Sequence, residues 1–102
     1  MNEKLVNLSN DLLKELRYAE VMKKHWSDPL VCITSNKIET VNRSEGNGHF
    51  TTPIPYGVKD EITYIMSTYW TKRYQMLAEL FENLNESTLD STVFTIETER
   101  RY

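Results

Sequence analysis

Thr68-Tyr69-Trp70-Thr71-Lys72-Arg73-Tyr74-Gln75 (TYWTKRYQ) sets two cations among three aromatics, inside a run that holds neither proline nor glycine from Val58 to Glu86. The run predicts a helix over residues 57–86. At 1.5 Å per residue such a helix is roughly 45 Å long, more than a domain of this size covers by itself, so it needs a partner helix. Counted at roughly 100° per residue from Ile62, its apolar residues, from Val58 through Tyr69, Trp70, Tyr74 and Leu77 to Leu84, fill an arc about 180° wide. One contact stripe needs little over 100°, so the helix is expected to touch two things: the first helix or the sheet on one side, another subunit on the other.

Arg73 falls near the middle of that arc and Lys72 near its edge. A guanidinium on the most buried line of a helix needs an anion, because its desolvation costs several kcal/mol. Three outcomes stay open. If the first helix packs antiparallel, Asp11 or Glu15 comes level with Arg73 and an internal pair fixes the register. Alternatively Arg73, with Lys72 beside it, holds an external phosphate bidentately while Tyr69, Trp70 or Tyr74 stacks on a base. Or Arg73 snorkels past its neighbours to water.

Working outward, Leu5, Leu8, Leu12, Leu16, Ala19, Met22 and Trp26 recur three or four residues apart and predict a first helix over residues 3–26. Lys23 shares a line with Leu5 on that helix and is a second candidate inward cation, unless its place near the helix end lets it escape to water. Asp28-Pro29 ends the helix, since the residue before proline is pushed out of the helical region. Residues 30–54 form the β region. Leu30–Thr34, Lys37–Val41 and His49–Thr52 are rich in β-branched residues, and Ser44-Glu45-Gly46-Asn47-Gly48 is a turn. Val93–Thr98 predicts a final strand before the basic aromatic tail Arg100-Arg101-Tyr102. The expected fold is α+β in one domain, its two helices paired as a hairpin or in an intersubunit bundle.

With 102 residues and a formal net charge of −3, the chain lacks the basic footprint of a general nucleic-acid binder. Cys32, the sole cysteine, excludes an intrachain disulfide, and Val31 and Ile33 beside it suggest a buried, inert thiol. The N-terminus alternates charge with leucine, unlike a signal peptide, and no run reaches membrane-spanning length. A cytoplasmic protein is expected, in which the sequons at Asn7, Asn42 and Asn85 stay unmodified. His25 and His49 lack metal-like spacing to each other or to Cys32. Gly46-Asn47-Gly48 lacks the later glycine and lysine of a phosphate loop. Ser44, Glu45 and His49 crowd one turn with no rigid orienting partner, and Asp60-Glu61 suits the first turn of the long helix, where it favours the dipole. Neither catalysis nor a metal or cofactor is expected.

The order helix, β-hairpin, long helix bearing tyrosine and arginine (DEITYIMSTYWTKRYQMLAELFENL, residues 60–84) resembles small accessory proteins encoded by bacteriophages. Among these it looks like the oligomeric sponges that sequester nucleotide second messengers of anti-phage systems such as CBASS and Thoeris. The resemblance is architectural and covers most of the chain. It implies a non-enzymatic homo-oligomer in a bacterial cytoplasm, binding a nucleotide between helices of adjacent subunits, with Arg73, Tyr69 and Lys72 at the matching positions. The alternative is an inhibitor or adaptor of the anti-CRISPR kind, docking a host defence protein through the wide apolar arc. A purely structural assembly factor is the third option.

Overall fold

The computed structural model describes residues 2–44 and 46–99. Glu45 and the terminus Arg100–Tyr102 lie outside the described residues. The elements run α1 (Glu3–Ser27), β1 (Lys37–Asn42), β2 (Gly48–Pro53), α2 (Tyr56–Glu82) and α3 (Leu89–Glu99), an α+β chain.

Local chemistry explains where each helix begins and ends. Asn2 caps α1, its Oδ1 accepting from the amides of Lys4 and Leu5, and Lys24 and His25 sit in the last turn, where positive charge suits the dipole. Asp28, in extended conformation before Pro29, closes it. The second helix starts at Tyr56 rather than 57, with Pro55 at its N-cap. Asp60 and Glu61 therefore fall in its second turn, not its first. It stops at Glu82 instead of 86 because Asn83 turns its side-chain amide back onto the Glu79 carbonyl at 3.0 Å. Asn85 then accepts from the amides of Ser87 and Thr88, which reverses the chain.

Two expected strands are not strands. Val93–Thr98 belongs to α3. Its alternation suits a strand, but Leu89, Val93 and Ile96 also recur at helical spacing. The helix wins by burying Thr92 and Ile96, the latter in a core with Leu12, Ala19 and Leu77. The hydroxyls of Ser91, Thr95 and Thr98 are satisfied by the carbonyls of Thr88, Ser91 and Phe94 within the same helix. Leu30–Thr34 pairs with no strand among the described residues, where the sheet consists of β1 and β2, antiparallel from Lys37↔Pro53 to Asn42↔Gly48. Gly46 and Asn47 take left-handed φ angles of 70° and 61° in the connecting turn. Cys32, expected to be buried, is exposed.

Every residue of β1 and β2 is exposed, so the hairpin projects from the helices as an arm. Asn36 ties its base, accepting from the Ile54 amide at 2.8 Å and from Lys59 Nζ at 2.7 Å. The helices α1 and α2 run antiparallel, as the pairs Glu15–Arg73, Tyr18–Trp70 and Ser27–Ser67 show. The molecule measures 54 × 39 × 14 Å. Beyond the part beside α3, residues of the helical layer such as Tyr18, Ile65 and Val58 meet solvent. The accessible surface is 8086 Å², about 2,000 Å² above the ~6,000 Å² of a compact monomer of this mass. The radius of gyration of 18.1 Å likewise exceeds the ~13 Å of a compact domain of this length.

Candidate functional site

Arg73 is 8% exposed, one helical turn from the fully buried Leu77. Its Nη2 stands 3.3 Å from Oε2 of Glu15, a carboxylate on α1 that is itself four-fifths covered. Of the three sources of charge compensation that the sequence leaves open, the fold brings up the internal carboxylate, and Glu15 rather than Asp11. The antiparallel docking of α1 explains why, since Glu15 and Leu12 lie on neighbouring lines of α1, at the seam with α2. Asp11, one turn earlier and exposed, lines a cleft with α3 that Glu15 also borders.

The neighbouring candidates scatter around this pair. Trp70 is half-buried and receives two ring edges: Tyr18 from α1 at 5.5 Å and Tyr69 at 5.1 Å, both near perpendicular. Such edge-to-face pairs contribute about 0.5–1.5 kcal/mol each beyond their buried area. The indole Nε1 of Trp70 is buried without a hydrogen-bond partner among the described residues. Tyr74 carries the ammonium of Lys23 over its ring at 4.7 Å, so Lys23 faces the second helix instead of escaping to water. Lys72 is exposed, and one residue of helix separates it from Arg73 by about 100°. The two cations of the quoted stretch therefore do not converge on one point.

Counted from Leu12 and Leu77 at about 100° per residue, one broad face of the layer carries Glu15, Tyr18 and Met22 on α1 and Arg73, Tyr69, Ile65 and Val58 on α2. Along the N-terminal half of α1 that face borders α3, whose Leu89, Val93 and Ile96 line a cleft with Leu8, Asp11 and Glu15. The other half is open. Tyr18 is 58% exposed there and Ile65 61%, with Val58 and Tyr69 also exposed. Sequence periodicity misses Tyr18, which stands off the leucine line of α1. Its only signal is that it lies one turn beyond Glu15 on the same side.

Elsewhere, the end of α1, the connector to β1 and the start of α2 enclose an open cleft of about 740 Å³ that includes Trp26, Ile33 and Tyr64. His49 meets Glu39 across the hairpin at 2.9 Å, and His25 stands edge-on to Trp26. No hydrogen bond joins either histidine to a hydroxyl or thiol among the described residues. No helix among them is long and apolar enough to cross a membrane. Comparison of the chain with protein-family models, curated proteins and solved structures finds no match in any of the three.

Proposed function

We propose that this chain is a non-enzymatic docking protein, an inhibitor or adaptor that receives an amphipathic helix of a partner protein on the open half of its α1–α2 face. The carrying observation is α3 itself. On that face this short helix lies beside α1, burying Thr92 and Ile96. Beyond it the same face continues, uncovered, as Tyr18, Tyr69, Ile65 and Val58. An apolar groove between helices is a common receptor for a helix presenting residues at i, i+3 and i+4. The bacteriophage counter-defence setting implied by the resemblance makes a host defence protein the natural partner.

Ile65→Glu tests this at little risk to the fold, because the side chain is largely in water in the free protein. A stoichiometric complex with a host protein that survives in the wild type and is lost in Ile65→Glu supports the docking role. Retention of the complex in that variant refutes it.

One observation favours a second reading, capture of a phosphate-bearing nucleotide. Tyr18, Trp70 and Tyr69 form an aromatic group on the same open half, with Lys72 one turn from Tyr69. The phosphate would fall to Lys72, because Glu15 occupies Arg73. Native mass spectrometry against a panel of cyclic and linear nucleotides distinguishes the two: a retained nucleotide mass, lost in Lys72→Ala and Tyr69→Ala, selects the ligand over the helix.

A further inference from the structure

Leu30-Val31-Cys32-Ile33-Thr34 has the composition of a strand and no strand beside it. Exposure alternates along it with a period of two: Leu30, Cys32 and Thr34 are exposed, while Val31 and Ile33 are half-buried, and residues 31–34 border the cleft. Its two ends are anchored. The amide of Leu30 donates to Oδ1 of Asp28 at 2.9 Å and that of Val31 to the Asp28 carbonyl at 3.1 Å, while the Asn36 carbonyl accepts from Ile54. Between the anchors, the backbone groups of Cys32, Ile33 and Thr34 make no hydrogen bond among the described residues. An exposed row of unpaired amides and carbonyls in a β-branched sequence is a template for another strand.

We infer that this segment pairs with the same segment of a second copy, antiparallel about a two-fold axis through Cys32. Three features single out a second copy as the occupant. A two-fold axis brings each strand against its own reverse, so any charge in the segment would approach its like, and none occurs from Pro29 to Asn36. The register sets Val31 opposite Ile33, a favourable β-branched cross-strand pair. The side chain that must share the axis with its own copy is the small Cys32.

Surface area points the same way. The chain exposes about 2,000 Å² beyond a compact monomer, more than twice the ~800 Å² per partner of a standard interface. Leu30, 88% exposed in the single chain, gains cover in the pair. Tyr64 and Ser67, which line the cleft behind the segment, lie on the side of α2 away from Arg73 when counted from Leu77. Pairing therefore leaves the open half of the helical face free. The dimer displays two docking faces, and the inference stands whether or not a partner helix occupies them.

The test uses the full chain, with mass measured by light scattering, amide exchange along 30–34, and a mild thiol oxidant as cross-linker. The expected result is a dimer in which alternate amides of 32–34 gain protection and Cys32 cross-links to its own copy. In Cys32→Ser/Thr34→Cys the cross-link is lost, because residue 34 lies roughly 14 Å from its counterpart at ~3.4 Å per residue, beyond the ~7 Å that a disulfide spans. Ile65→Glu, on the docking face, leaves mass and cross-link unchanged. A monomer at every concentration overturns the inference. So does a dimer whose 32–34 amides exchange at free-chain rates, or one that Ile65→Glu dissolves.

Discussion

Glu15→Gln removes the carboxylate facing a guanidinium that is 8% exposed, and leaves the volume at the site nearly unchanged. Breaking a buried ion pair from one side typically costs about 3–5 kcal/mol, because the remaining charge keeps its desolvation penalty and loses its compensation. The side chain of Glu15 is 21% exposed, so some water reaches the pair, and the expected loss is at the low end, about 3 kcal/mol. For a domain of this size each kcal/mol moves the melting temperature by about 4–8 °C, which makes the shift roughly 12–24 °C. Glu15→Leu combined with Arg73→Met removes both charges and fills the site with apolar groups. It is expected to cost under ~1 kcal/mol or to stabilise. The readout is urea unfolding of the wild type, Glu15→Gln, the singles Glu15→Leu and Arg73→Met, and the double variant, at several protein concentrations, because association adds to apparent stability. The coupling between the two sites should be at least about 2 kcal/mol. If Glu15→Gln falls within ~0.5 kcal/mol of the wild type, or if the two single losses add, the pair is not what compensates Arg73. Stabilisation of the wild type by added phosphate would then return the external anion to consideration.

The other predictions are simpler. Leu77→Ala empties a site with no exposed surface and is expected to cost about 2–5 kcal/mol in urea unfolding, with no change in helix order. Lys23→Ala removes the ammonium above Tyr74 and should cost about 0.5–1 kcal/mol, a loss that Lys23→Arg largely spares. Gly46→Ala meets no atom within 4 Å of the new methyl group, so its cost of about 1–2 kcal/mol is backbone strain alone. It should appear as faster amide exchange in β1 and β2, while α1 and α2 stay protected.

Much of the fold is legible in the chain because helix formation is local. The leucine spacing of α1, the proline-free and glycine-free run of α2, and the breaks at Asp28-Pro29 and Pro53-Ile54-Pro55 each act within a few residues. The turn around Gly46-Asn47 does too, through φ angles those residues adopt cheaply. The candidate site is half legible. Helical arithmetic places Arg73 on the buried line, and the cost of desolvating a charge demands an anion there. Choosing between Asp11 and Glu15 needs the crossing of α1 over α2.

The errors share a cause. Val93-Phe94-Thr95-Ile96 satisfies strand and helix periods alike, and the choice falls to a surface elsewhere in the chain that can bury Thr92 and Ile96. Leu30–Thr34 has every local mark of a strand, but a ladder is a contract between two segments, and local propensity cannot supply the second. By itself, then, the sequence determined the helices, the turn and the need to compensate a buried guanidinium, because backbone geometry and desolvation act at short range. Only the tertiary structure decided that Glu15 answers Arg73, that α3 is a helix and that half of one face stays open, because each depends on which distant surfaces meet.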